Sequence, residues 1–102
     1  MTKEKVMRVF EFYASQLQLA RPGTPAHQFD DVKASRSQPR QMQEFSELAH
    51  LNFMCSEGQK LIEEGRTEKA MRWLGFLQGV LWARGFYSLD DLKNHSRPDG
   101  PI

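Results

Sequence analysis

A chain of 102 residues with 26% charged and 39% hydrophobic residues has the size and composition of one globular domain. Its formal net charge of +1 is too small to drive nucleic-acid or membrane binding through global electrostatics. The single Cys55 excludes an intrachain disulfide, and no apolar run approaches the ~20 residues that span a bilayer. The opening MTKEKVMRVFEF carries charges inside its apolar pattern and is no signal peptide, so the expected location is the cytoplasm.

Residues 3 to 20 read as an amphipathic helix. Val6, Phe10, Tyr13 and Leu17 recur at helical spacing and form one stripe, widened by Met7 and Ala14. Lys3, Glu4, Lys5, Arg8, Glu11, Gln16 and Gln18 supply the wet face. Arg21-Pro22-Gly23-Thr24-Pro25 stops the helix, because neither proline can continue its hydrogen-bond ladder.

Residues 22 to 38 read as a long loop, pinned to the core by Phe29 and Val32. Its end is basic: Lys33, Arg36 and Arg40 lie within eight residues. The ordinary account is a solvated connector. The functional one is an arm that contacts an acidic partner. The next helix is expected from Gln38 or Pro39 to Glu64. Met42, Phe45, Leu48, Ala49, Leu51, Phe53, Met54 and Cys55 should bury its first half, and Gly58 weakens its middle.

The densest apolar run follows Gly65. Thr67 is placed to cap a helix through its hydroxyl, and Glu68 suits the positive end of the macrodipole. From Ala70 to Ala83 only Arg72 and Gln78 bring strong polarity. Trp73 and Trp82 are nine residues apart, roughly 900° of rotation, so they point to opposite sides. A helix apolar all round is expected to be buried all round. Gly75, Gly79 and Ala83 share one face, and each interior glycine costs about 1 kcal/mol relative to alanine. The stripe therefore implies the close approach of another backbone, either within the chain or across a subunit interface. Gly85 suits the left-handed residue that ends the helix. Ser88 and Asp91 then form a variant capping box, with Tyr87 and Leu92 as its hydrophobic staple, for a short helix from Leu89 to His95. Residues 98–102 read as a flexible tail beyond a single helical domain of residues 1–97.

Reactive groups are scattered. His27, His50 and His95 fall on three segments. His50 and Cys55 diverge by roughly 140° around one helix and make a poor metal pair. The pairs Glu44/Glu47, Glu63/Glu64 and Asp90/Asp91 are accounted for by a solvated face, a helix end and dipole complementarity. There is no phosphate loop and no dinucleotide fingerprint. Gly85 and the short helix after it could be read as a helix-turn-helix. Two aspartates stand where a reader helix would meet phosphates, which argues against it. No catalytic residue, metal or cofactor is expected.

At Arg72-Trp73-Leu74-Gly75-Phe76-Leu77-Gln78-Gly79-Val80-Leu81-Trp82, and again from Gly85 to Lys93, the sequence resembles small uncharacterised proteins of tailed bacteriophages and prophages. The resemblance covers the last third of the chain. It implies a phage accessory protein that binds and redirects a host protein, and it carries over no catalytic residue.

The expected architecture is all-α: three main helices, a short C-terminal helix and a long first connection. The expected function is protein–protein interaction, with a homodimer and an unidentified host protein as partners. The candidate interface is Trp73, Gly75, Phe76, Gly79, Val80, Trp82 and Ala83. The alternative is nucleic-acid contact through Lys33, Arg36 and Arg40.

Overall fold

The computed structural model describes residues 1–29 and 39–102, the side chains of Gln41 and Met42 excepted. The expectations at Met42, Val32, Lys33 and Arg36 lie outside the described residues. All regular structure among the described residues is helical: α1 (Lys3–Ala20), α2 (Arg40–Glu63), α3 (Thr67–Ala83) and α4 (Leu89–Ser96).

The stripe of α1 is the centre of the core. Val6, Val9, Phe10, Tyr13 and Leu17 are all fully buried, and α1 packs on each of the other three helices. The Thr2 hydroxyl starts the helix by accepting from the Lys5 backbone N–H at 3.1 Å. Lys5 departs from its expected place on the wet face. It is 1% exposed, because its ammonium donates to the Gly100 carbonyl of the C-terminal segment instead of to water.

Helix α2 lies against α1 and α3 and contributes Leu48, Ala49, Leu51, Met54 and Cys55 to the core. Gly58 does more than weaken it. A side chain there would collide with the ring of the fully buried Phe10, so the glycine is what lets α1 and α2 close on each other. The helix ends at Gly65, whose φ of +80° only glycine adopts freely. Around it Gly65 N–H donates to the Ile62 carbonyl and Arg66 N–H to that of Leu61, closing a Schellman motif.

Thr67 does not cap α3. It is the first helical residue, the cap position is Arg66, and no side chain bonds there. The short link from Gly65 leaves no room for an extended capping residue. The far end is as the sequence implies. Gly85 has φ +79°, and the bonds from Gly85 to Trp82 and from Phe86 to Leu81 repeat the Schellman closure.

The capping box of α4 is complete. Ser88 Oγ accepts from Asp91 N–H at 3.1 Å, and Asp91 Oδ2 accepts from Ser88 N–H at 3.0 Å. These bonds to its ionised form hold the Asp91 carboxyl below its usual range. Ser88→Ala should lower stability by about 1 kcal/mol in urea melts; an unchanged midpoint would show that α4 does not rely on the cap.

The largest departure concerns α3. Only Ala70, Leu74, Leu77 and Leu81 are buried, a single stripe, although apolar residues surround the helix. Helices α1 and α2 cover one flank, and no described segment lies on the other. The helix at the centre of the bundle is therefore α1, and α3 carries an apolar face outward.

Candidate protein interface

The outward face of α3 is built on Gly75, Gly79 and Ala83. At about 100° per residue these three fall almost opposite the buried Leu74–Leu77–Leu81 stripe. A side-chain carbon added at Gly75 or Gly79 would meet nothing within 4 Å. Close packing within one chain, the ordinary explanation of such a stripe, is thus absent among the described residues. Two glycines costing about 1 kcal/mol each relative to alanine remain without an internal reason.

Aromatic rims flank this floor. Phe76, on the side toward α2, is 53% exposed, and Trp82, on the side away from it, is 51% exposed. Trp73 points the other way, as its spacing from Trp82 implies. It is half-buried against Phe53 of α2, with ring centroids 6.4 Å apart, and the Lys69 ammonium sits over its ring. So the structure brings Gly75, Phe76, Gly79, Val80 and Ala83 together, sets Trp82 on their far rim, and turns Trp73 into the chain.

Between the Phe76 rim and α2 runs an open groove of about 860 Å³. Phe29, His50 and Leu51 form its far wall and Val80 its near one. The segment after α1 is tied down beside it. Phe29 N–H donates to His50 Nδ1 at 3.1 Å, and His27 N–H donates to the Ala49 carbonyl at 3.1 Å. Phe29 is 37% exposed and walls the groove without filling it. One end carries the ion pair of Arg84 with Glu47, which joins α3 to α2. Most of the groove's surface is carbon, so its chemistry is that of apolar docking and not of bond-making.

The basic arm is only partly described. Arg40 is exposed and lies 3.6 Å from Glu44, a carboxylate it shares with Arg21 at 3.7 Å. Such exposed pairs contribute about 0–1 kcal/mol each, and here they offset the positive charge a phosphate would need.

The reactive groups stay apart. Cys55 is fully buried in the core, and burial pushes its thiol up to about 12. His50 faces the groove and Cys55 does not. Among the described residues no three metal-ligating side chains converge. Cys55 should therefore resist aromatic disulfide reagents at pH 8 in the folded protein and react once urea unfolds it. Rapid reaction of the folded chain would mean that α1 and α2 open locally.

The periodicity left one cluster unread. His95 is buried, its Nδ1 is 2.7 Å from the Tyr13 hydroxyl, and Gln78 reaches both Tyr13 and Ser96. Desolvation raises the pKa of Tyr13 and of Tyr87, and the Tyr87 hydroxyl is buried with no hydrogen-bond partner among the described residues. The available signal was the spacing of Leu92 and His95, three apart on one face of a short helix.

Among the described residues no helix is long and apolar enough to cross a membrane. Comparison with known proteins finds no matching family model, no matching curated protein and no matching solved structure.

Proposed function

We propose that this is a binding protein rather than an enzyme, and that its working surface is the outward face of α3 with the adjoining groove. One observation carries the reading: a floor of Gly75, Gly79 and Ala83 open to solvent between two half-exposed aromatic rings. The first occupant is a second copy of the chain, arranged about a two-fold axis. Such a surface is self-complementary, because each copy offers rings as knobs and glycines as the hollow that receives them.

Magnitudes fit a dimer of modest strength. Phe76 and Trp82 each expose roughly 100 Å² of ring, so two copies would bury on the order of 400 Å² from these residues alone. At ~25 cal/mol per Å² that is about 10 kcal/mol, comparable to the 4–15 kcal/mol lost in association. The groove walls at Phe29 and Val80 then decide the affinity. Sedimentation equilibrium at tens of micromolar should give twice the 11.8 kDa chain mass. A single 11.8 kDa species would remove the dimer.

The likeness of residues 72–93 to phage proteins supports a more concrete form: a phage or prophage accessory protein that acts in the bacterial cytoplasm by binding and modulating a host protein. Nucleic-acid contact through Lys33, Arg36 and Arg40 is the competing reading. It requires affinity for DNA or RNA that falls steeply with salt. The pairing of Arg40 with Glu44 works against it, and no salt-sensitive affinity for DNA or RNA is the expected result.

A further inference from the structure

The polar cluster beside α4 plays no part in the proposed interface, yet it is the most elaborate hydrogen-bonded arrangement in the core. Gln78 Nε2 lies 3.3 Å from the Tyr13 hydroxyl and 3.2 Å from Ser96 Oγ. An amide nitrogen only donates, so the Tyr13 oxygen accepts from it and turns its own hydrogen toward His95 Nδ1, 2.7 Å away. His95 is then the acceptor, a neutral imidazole with its proton on Nε2.

Charged and titratable groups face this ring from several sides. Helix α1 presents Tyr13 and the buried Lys5, whose ammonium holds the Gly100 carbonyl. The turn before α4 presents Tyr87, its ring edge-on at 4.9 Å between centroids. Helix α3 presents the uncharged Gln78, through Tyr13 and Ser96. Helix α4 itself presents Asp91, one turn back. Helix α4 packs chiefly on α1, and the bond between Tyr13 and His95 joins the two helices directly.

We propose that His95 is an acid-sensitive latch: protonation makes Nδ1 a donor, the Tyr13 hydroxyl can accept from it only by turning its own hydrogen against the Gln78 amide that already donates to it, and the conflict weakens the link between α1 and α4 and releases α4. Release uncovers the Phe12, Tyr13 and Tyr87 rings that now pack around the imidazole.

The sign of the pH dependence follows from the docked state's reluctance to bind the proton. Burial lowers the His95 pKa below its ordinary 6.5; Asp91 pulls it up in part and Lys5 pushes it down further. The released helix therefore takes up a proton more readily than the docked one. Docking is at full strength above pH 6.5, weakens as pH falls through that value, and levels off below the docked pKa.

Hydrogen exchange of the α4 amides 92–96, corrected for intrinsic rates, tests this in the full chain. Between pH 7.5 and 5.0 protection should fall, by up to about thirtyfold, the limit set by a released imidazole at its ordinary 6.5 and a docked one that stays neutral. Amides in the middle of α2 should keep theirs. In His95→Gln, whose amide oxygen can accept from Tyr13 but does not titrate, α4 protection should be level across the same range. An equal fall in His95→Gln, or no fall in the wild type, overturns the latch. Should His95→Gln leave α4 undocked at pH 7.5, the wild-type imidazole titration followed by NMR decides. A midpoint below 6.5 that coincides with loss of α4 protection supports the latch, and one without such loss overturns it.

Discussion

Gly79→Leu should turn a dimer into a monomer while leaving helical circular dichroism unchanged. A Cβ at this position meets nothing within 4 Å among the described residues, and the position opens onto the groove, so the described part of the monomer has room for the substitution. Leucine also favours helix over glycine by close to 1 kcal/mol, and the monomer should gain about that much in urea melts. Across a seam of close helices the same side chain fills the hollow meant for a partner's ring. Overpacking of that kind costs about 1–3 kcal/mol per copy. Two copies meet at a two-fold axis, so association should weaken by roughly thirtyfold or more. If the mass in solution is unaffected, the seam lies elsewhere. If the chain unfolds, the face is covered by a part of the chain outside the described residues.

Gly58→Leu should have the opposite outcome and strongly destabilise the monomer. Even a Cβ there strikes the Phe10 ring, which is fully buried between α1 and α2 and has nowhere to turn. A leucine should cost about 3 kcal/mol or more, a large share of the 5–15 kcal/mol that stabilises a domain. Gly58→Ala should cost less, a net loss of about 1–2 kcal/mol, because the helix propensity of alanine offsets part of the clash. Gly75→Ala should instead stabilise the monomer by about 1 kcal/mol. Chemical denaturation of these variants at concentrations low enough to keep the chain monomeric checks all three. A stabilised Gly58→Ala would mean that α1 and α2 do not close as described.

These two glycines show where sequence reading stops. Gly58 and Gly79 both stand inside apolar helices and look alike in the sequence. One is filled by a ring 48 positions away and the other faces open space, a distinction that only the packing of α1 on α2 creates. Features that depend on neighbours in the chain were legible. The Val6–Phe10–Tyr13–Leu17 stripe, the left-handed Gly85 and the Ser88–Asp91 box are all as the residues imply. Features that need a distant partner were not. Lys5 is buried because Gly100 accepts from it, and His95 because Tyr13 reaches it. The burial of α3 was overestimated for the same reason: hydrophobicity all round a helix says that its faces need covering, and not that the chain covers them.

The candidate interface was legible in composition and not in geometry. Gly75, Phe76, Gly79, Val80 and Ala83 do converge on one surface. The sequence could not place Phe29 and His50 across from them, since one comes from the long connection and the other from the helix after it. Nor could it show that Trp73 turns inward against Phe53. Spacing fixes the angle between two residues on a helix but not which of them meets a neighbour.

Isotope-filtered NMR on a mixture of labelled and unlabelled chains tests the proposed surface most directly. Intermolecular contacts between the Phe76 or Trp82 ring and the α-hydrogens of Gly75 and Gly79 are the expected result. Intermolecular contacts confined to other residues, or none at tens of micromolar, would contradict it.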